Sequence, residues 1–223
     1  MTALDVRKYG ESVVVYEDVL RGEPWPEGFW APTNRNRRVT EILTYLFKDK
    51  LKIDRYEAAK EILDAAFIDE YELSVIVQQA DCPPEMNDGE FFYLLWLVFP
   101  EERPSEEELI VKTYTEVLQG RRQGFPRGYF LKNSQVELRA VTCFRHLCEE
   151  VLQLDSVGIC KTFGNSYGIK VLSKYKLKML IDIVYESLFH LVYAAYPELA
   201  GELEKYNFDR RQSENKGGNK HAN

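Results

Sequence analysis

The chain has 223 residues, 45% of them hydrophobic and 29% charged, with a net charge of −7. That length suits one large or two small domains, and that composition belongs to a globular protein rather than to a disordered or collagen-like one. The longest apolar run, Phe91 to Phe99, falls short of the ~18 residues of a membrane span, so no membrane association is expected. Four cysteines without paired spacing point to a reducing compartment, and the N-terminus lacks the cationic start and apolar stretch of a secretory signal. A cytoplasmic protein is expected.

Residues 1–24 read as a short leader. Its SVVVY stretch (Ser12–Tyr16) suits either an isolated strand, which would need a partner, or a helix capping the neighbouring helical unit. WPEGFW (Trp25–Trp30) is an opening turn. A first long helix is predicted from Thr33 or Asn34, both good N-caps. Its buried face is Val39, Ile42, Leu43, Leu46 and Phe47, spaced i, i+3, i+4, i+7, i+8. A second helix is predicted over roughly 56–66 and a third over 68–79. DCPPEMNDG (Asp81–Gly89) is a loop, marked by two prolines and a glycine. The fourth helix, 90–99, is apolar on every side and is predicted to be buried all round; Pro100 ends it. Ser105 and Glu108 form a capping box opening a helix that runs to Leu118. Its stripe of Ile110, Tyr114, Val117 and Leu118 predicts a connector packed between two flanking units.

Beyond that helix the pattern restarts. FPRGYF (Phe125–Phe130) repeats the opening turn at an offset of 100, placing Pro126 on Pro26 and Gly128 on Gly28. At 101, Arg139 falls on Arg38 and Leu147 on Leu46. At 104, Tyr175 and Leu177 fall on Tyr71 and Leu73. At 97, Pro197 and Glu198 fall on Pro100 and Glu101. Chance similarity between amphipathic helices would reproduce the stripe but not both the opening turn and the closing aromatic-Pro-Glu. A tandem repeat is the reading; its second set is a long helix striped by Ala140, Cys143, Phe144, Leu147 and Cys148 and helices over about 157–163, 173–185 and 186–196. From Asp209 the chain has no apolar residue except Ala222 and reads as a disordered tail.

This unit — aromatic-x-x-Gly-aromatic-aromatic, basic amphipathic helix, Tyr-x-Leu helix, closing Tyr-Pro — resembles a helical repeat family of unknown function in proteins of spore-forming bacteria and their phages. The resemblance covers Trp25–Glu198. It implies the repeat and carries over no catalytic residue.

The two copies differ in charge. Residues 25–101 hold 8 Lys and Arg against 15 Asp and Glu; residues 121–198 hold 11 against 7. Such an imbalance is compatible with drift on solvated faces, with attraction between the halves, or with separate partners for each. The basic residues gather in two places. Arg121, Arg122, Arg127 and Lys132 surround the second opening turn, and Lys170, Lys174, Lys176 and Lys178 lie near its third helix. The helix-turn-helix order over 157–185 is loosely similar to a DNA-binding motif.

The residues that resemble chemistry have plainer readings. Cys143, His146 and Cys148 spread over too wide a helical arc for one tetrahedral metal site. Cys143 and Cys148 align with Ile42 and Phe47, which makes them core residues; Cys160 aligns with Ala59. His190 has only Glu186 at helical spacing and reads as a half-buried structural histidine. Cys82 stands alone in the loop as the one exposed thiol. TFGNSYGIK lacks the strand and the G-x-x-x-x-G-K-[ST] spacing of a phosphate cradle.

The reading is an all-α protein: two tandem copies of a roughly four-helix repeat joined by a connector helix. Its parts are a leader (1–24), an acidic repeat (25–101), the connector (102–124), a basic repeat (125–198), and a short helix with a tail (199–223). The expected function is a non-catalytic intracellular protein-interaction module with no catalytic, metal or cofactor residue. Its partner contacts are expected at Phe29, Trp30, Pro83, Pro84, Tyr129 and Phe130. One alternative is a nucleic-acid binder using the two basic clusters, and a second is an enzyme with an unfamiliar site.

Overall fold

The structure is a computed structural model, which describes residues 10–87, 89–131 and 135–205. Among these residues it is all-helical, with no strand. The chain divides between Pro104 and Ser105 into two compact units.

The first unit opens with α1 (Glu11–Val19), so the helical alternative for SVVVY holds. Val13, Tyr16 and Val19 face inward at i, i+3, i+6, and α1 packs along α2 (Arg35–Thr44). Between them Phe29 N–H donates to the Pro26 carbonyl at 3.1 Å, and Gly28 takes φ +72°, the conformation that a type II turn demands at its third position. α2 runs on as a wide π-helical turn, Tyr45–Lys50. It stops at Lys52, which is left-handed at φ 58°. There Leu51 and Ile53 N–H groups reach back to the Leu46 and Phe47 carbonyls at 2.9 and 2.8 Å and satisfy two of the orphaned helix-end oxygens.

α3 (Tyr56–Ile62), α4 (Ala65–Glu70) and α5 (Ser74–Gln79) come next. Asp64 caps α4 by accepting from Phe67 N–H at 2.9 Å, so the predicted second helix breaks in two. The predicted third helix also breaks, because Glu72 is left-handed at φ 51° and the Leu73 N–H turns back to the Ile68 carbonyl. The fourth element is a 3-10 helix, Phe92–Leu97, followed by a short 3-10 turn, Pro100–Glu102.

The second unit opens with α6 (Glu106–Leu118), the helix expected to be a connector. Its capping box forms: Ser105 N–H donates to Glu108 Oε2 at 2.7 Å, and Glu108 N–H to Ser105 Oγ at 3.2 Å. It packs along α7 (Val136–His146), and Ile110 and Tyr114 sit in the same core as Phe144, Leu172 and Leu191. It therefore stands to this unit as α1 stands to the first. The π-helical turn (Leu147–Val151), the left-handed stop at Gln153 and the two return bonds all recur. α8 (Ser156–Phe163) is capped by Asp155, α9 (Tyr167–Lys174) ends before left-handed Lys176, and a π-helical turn covers Leu180–Val184. α10 (Leu188–Ala195) is capped by Ser187, and residues 200–205 are helical after a 3-10 turn. The prediction that the closing helices are buried all round is corrected: Leu97 and Tyr193 lie on an exposed face, with Leu94, Leu95, Leu191 and Val192 inward. The predicted tail lies outside the described residues.

Candidate interaction surface

The opening turn aims its rings into its own unit. Tyr16, Trp25 and Phe29 form a chain with centroid spacings of 6.3 and 5.3 Å, and Trp30 meets Phe29 edge-on at 4.9 Å. In the second unit Tyr114, Phe125 and Tyr129 repeat it at 5.9 and 5.4 Å, with Phe130 edge-on to Tyr129 at 5.0 Å. One arginine fastens each cluster. Arg38 lies 4.2 Å over the Phe29 ring and donates to the Phe29 carbonyl; Arg139 lies 4.5 Å over Tyr129 and donates to its carbonyl at 3.3 Å. Phe29, Tyr129 and Phe130 keep only 4%, 2% and 3% of their surface, and Trp30 is half-buried. This corrects the expected role of Phe29, Tyr129 and Phe130 as partner contacts: burying rings of this size outweighs displaying them. Of the other two, Pro84 is exposed and Pro83 half-buried.

A second matched contact lies deeper. The Tyr16 hydroxyl donates to the Tyr71 carbonyl at 2.7 Å, and the Tyr114 hydroxyl to the Tyr175 carbonyl at 2.9 Å. Both carbonyls belong to helix C-caps, which lack a partner of their own. Burial pushes both phenols well above their ordinary range, so they remain donors at every physiological pH.

The cysteines take the core positions expected of them. Cys143 and Cys148 are fully buried, and burial pushes the Cys148 thiol up to about 12, which keeps it protonated and unreactive. Among the described residues no group of three or more His, Cys, Asp or Glu side chains could share a metal ion. His146 lies half-buried with Nε2 3.4 Å from Thr115 Oγ1, and Tyr45 in the matching place donates to Glu17 at 2.8 Å. His190 is exposed on α10, not half-buried, because the inward face there belongs to Leu191, Val192 and Ala195.

The basic clusters separate into used and unused charge. Arg122 is drawn into a 3.2 Å ion pair with Glu116, while Arg121 and Arg127 are exposed beside the turn; Lys132 lies outside the described residues. Lys178 pairs with Asp182 at 3.6 Å. Lys170 within α9 and Lys174 and Lys176 at its end are exposed. In the first unit the same corner, at the end of α4, carries Asp69, Glu70 and Glu72, all exposed. The offset of 104 that aligns Tyr71-x-Leu73 with Tyr175-x-Leu177 puts Glu70 on Lys174 and Glu72 on Lys176. Sequence reasoning passes over these three carboxylates, although that offset holds the signal for Glu70 and Glu72; Asp69 falls on Ser173. The opening turns show the same reversal, with Glu27 where the second unit has Arg127, both exposed. The first unit also holds a cleft of about 450 Å³ whose lining includes Asp54, Glu57, Glu61, Glu101 and Glu102.

A family model of DUF4046, described as a protein of unknown function, matches residues 13–103 and again 110–201. The chain belongs to DUF4046. Each match takes in most of α1 or of α6, so the DUF4046 repeat includes the helix that precedes the opening turn. No curated protein and no solved structure matches the chain. Among the described residues no helix is long and apolar enough to cross a membrane.

Proposed function

We propose that this DUF4046 protein is a non-catalytic, intracellular protein-interaction module with two surfaces of opposite charge. The observation that carries the proposal is the pairing of a repeated interior with an exterior reversed in sign at three matched positions. The ring clusters, arginine clasps and tyrosine-to-carbonyl bonds occur twice, whereas exposed Glu27, Glu70 and Glu72 stand where the other unit has Arg127, Lys174 and Lys176. Two units of one scaffold, 12 Lys and Arg against 21 Asp and Glu in the first and 17 against 15 in the second, suit two different partners.

The test is crosslinking capture from cells with the wild-type chain, E70K/E72K and K174E/K176E. Two partner sets are expected, each lost with one reversal and kept with the other. Capture that ignores both reversals sinks the proposal. Nucleic-acid binding through the second unit is the lesser reading, because the rings that would have stacked on bases are turned inward and only the charges remain. It predicts retardation of mixed-sequence DNA that weakens steeply with salt.

A further inference from the structure

Resting on that reading, we infer that one partner of the lysine corner is the acidic corner of a second copy of this chain, giving head-to-tail self-association. The lysine corner comprises Lys170, Lys174 and Lys176; the acidic corner comprises Asp69, Glu70 and Glu72.

The lysines repel one another where they stand. Lys170 and Lys174 stand at i, i+4 on the exposed face of α9, a like-charge spacing that weakens a helix, and Lys176 lies one residue beyond the C-cap. Neighbouring Lys178 has its carboxylate in Asp182; among the described residues no carboxylate lies within ion-pair distance of the other three, and Lys174 Nζ rests 5.1 Å over the Tyr175 ring. The acidic corner holds three exposed carboxylates within four residues at the end of a helix, of which Glu70 also meets the Tyr71 hydroxyl. An oppositely charged surface relieves the repulsion at both places.

The corners also agree in shape. Each sits where a helix ends, each has a left-handed residue (Glu72 at φ 51°, Lys176 at φ 63°), and each is fastened by a buried tyrosine bonding the preceding carbonyl. The charges are therefore carried on corners already ordered before contact, which lowers the cost of association. Three carboxylates meet three ammonium groups. A contact between two different corners of identical chains is heterologous: each copy leaves one corner of each sign open, so association continues or closes into a ring. The net charge of −7 opposes indiscriminate clumping and leaves a local patch as the source of attraction.

Sedimentation of the full chain tests this at about 20 mM and about 500 mM salt, which differ severalfold in screening length. At low salt the mass is expected to exceed the monomer and rise with concentration; at high salt it returns to monomer. E70K/E72K alone and K174E/K176E alone are each expected to weaken association by about tenfold or more. An equimolar mixture of the two variants is expected to associate again, since both corners of one are then net basic and both corners of the other net acidic. Lysine is tolerated at the left-handed position, as Lys176 shows, so folding of E72K is not in question. A wild-type chain that stays monomeric throughout overturns the inference while leaving the capture test of the module reading intact. Association that neither reversal weakens, or a mixture that does not recover it, overturns it too. So does low-salt retardation of mixed-sequence DNA that K174E/K176E abolishes, which would assign the lysine corner to phosphate.

Discussion

At the scale of single residues, the fold depends on buried polar atoms with one partner each. Tyr114 is fully buried, and its hydroxyl is the partner of the Tyr175 carbonyl at the end of α9. Removing the hydroxyl leaves that carbonyl without its bond, at a cost of about 1–3 kcal/mol. Tyr114→Phe should therefore lower the urea midpoint with an unchanged slope, and Tyr16→Phe should act alike in the first unit. Equal stability of Tyr114→Phe and the wild type would show that the hydroxyl bond contributes nothing. Gly128 makes a different demand. At φ +78° a side chain is strained whatever the space, and the nearest atom to an added Cβ is Leu131 Cδ1 at 3.5 Å. The cost of Gly128→Val is conformational, roughly 1–2 kcal/mol or more for a β-branched residue. Thermal denaturation should place Gly128→Ala between the wild type and Gly128→Val.

At the scale of elements, α6 and α7 meet through a titratable group. His146 faces Thr115 and the edge of Tyr114 from α6, with Glu149 and Glu150 on its own helix continuation. Burial holds its pKa below the ordinary 6.5, and the two carboxylates only partly oppose that. The folded chain then binds its proton less readily than the unfolded chain. Stability from this site is complete above about pH 6.5 and is lost as pH falls through the lower folded value. A His146→Tyr variant, which takes the residue found at Tyr45, should lose less stability than the wild type between pH 7 and pH 5. Parallel melting curves for the two chains would contradict this. The elements also show why helix prediction overran. Asp64, Glu72 and Lys176 stop helices whose apolar spacing continues through them, because a side-chain cap or a left-handed turn can interrupt the backbone without disturbing the stripe.

At the scale of the whole molecule, the working unit is the repeat with its leading helix. Ile110 and Tyr114 belong to the core of the second unit, together with Phe144, Phe163 and Leu191. A fragment of residues 105–223 should therefore unfold in a single cooperative calorimetric transition. A fragment of 120–223, which lacks α6, should not, because it exposes that core and strands the Tyr175 carbonyl. Cooperative melting of the shorter fragment would return α6 to the role of connector. The ring clusters and arginine clasps recur inside both units, and Glu27, Glu70 and Glu72 meet the opposite sign outside, beside exposed charges that keep theirs, such as Asp54 and Asp155 or Glu101 and Glu198. Specific packing constrains the inside at every position, whereas a solvated charge at a helix end can change sign at little cost to the fold.

The sequence by itself determined the features that depend on neighbours along the chain. The Ser105–Glu108 capping box, the Pro-x-Gly turns, the stripe from Val39 to Phe47 and the repeat itself are local or periodic, and each was legible. So was the core placement of Cys143 and Cys148, since alignment on Ile42 and Phe47 transfers burial from one copy to the other. Only the tertiary structure decided that α1 and α6 open their repeats, because the bonds that tie them in span 55 and 61 residues. It also decided that Phe29, Tyr129 and Phe130 turn inward, a choice made by Arg38, Arg139 and the leading-helix tyrosines. The two charged corners lay between these cases. Their residues were visible in the alignment, but that they are exposed, and set on the same left-handed turn, is a property of the folded chain.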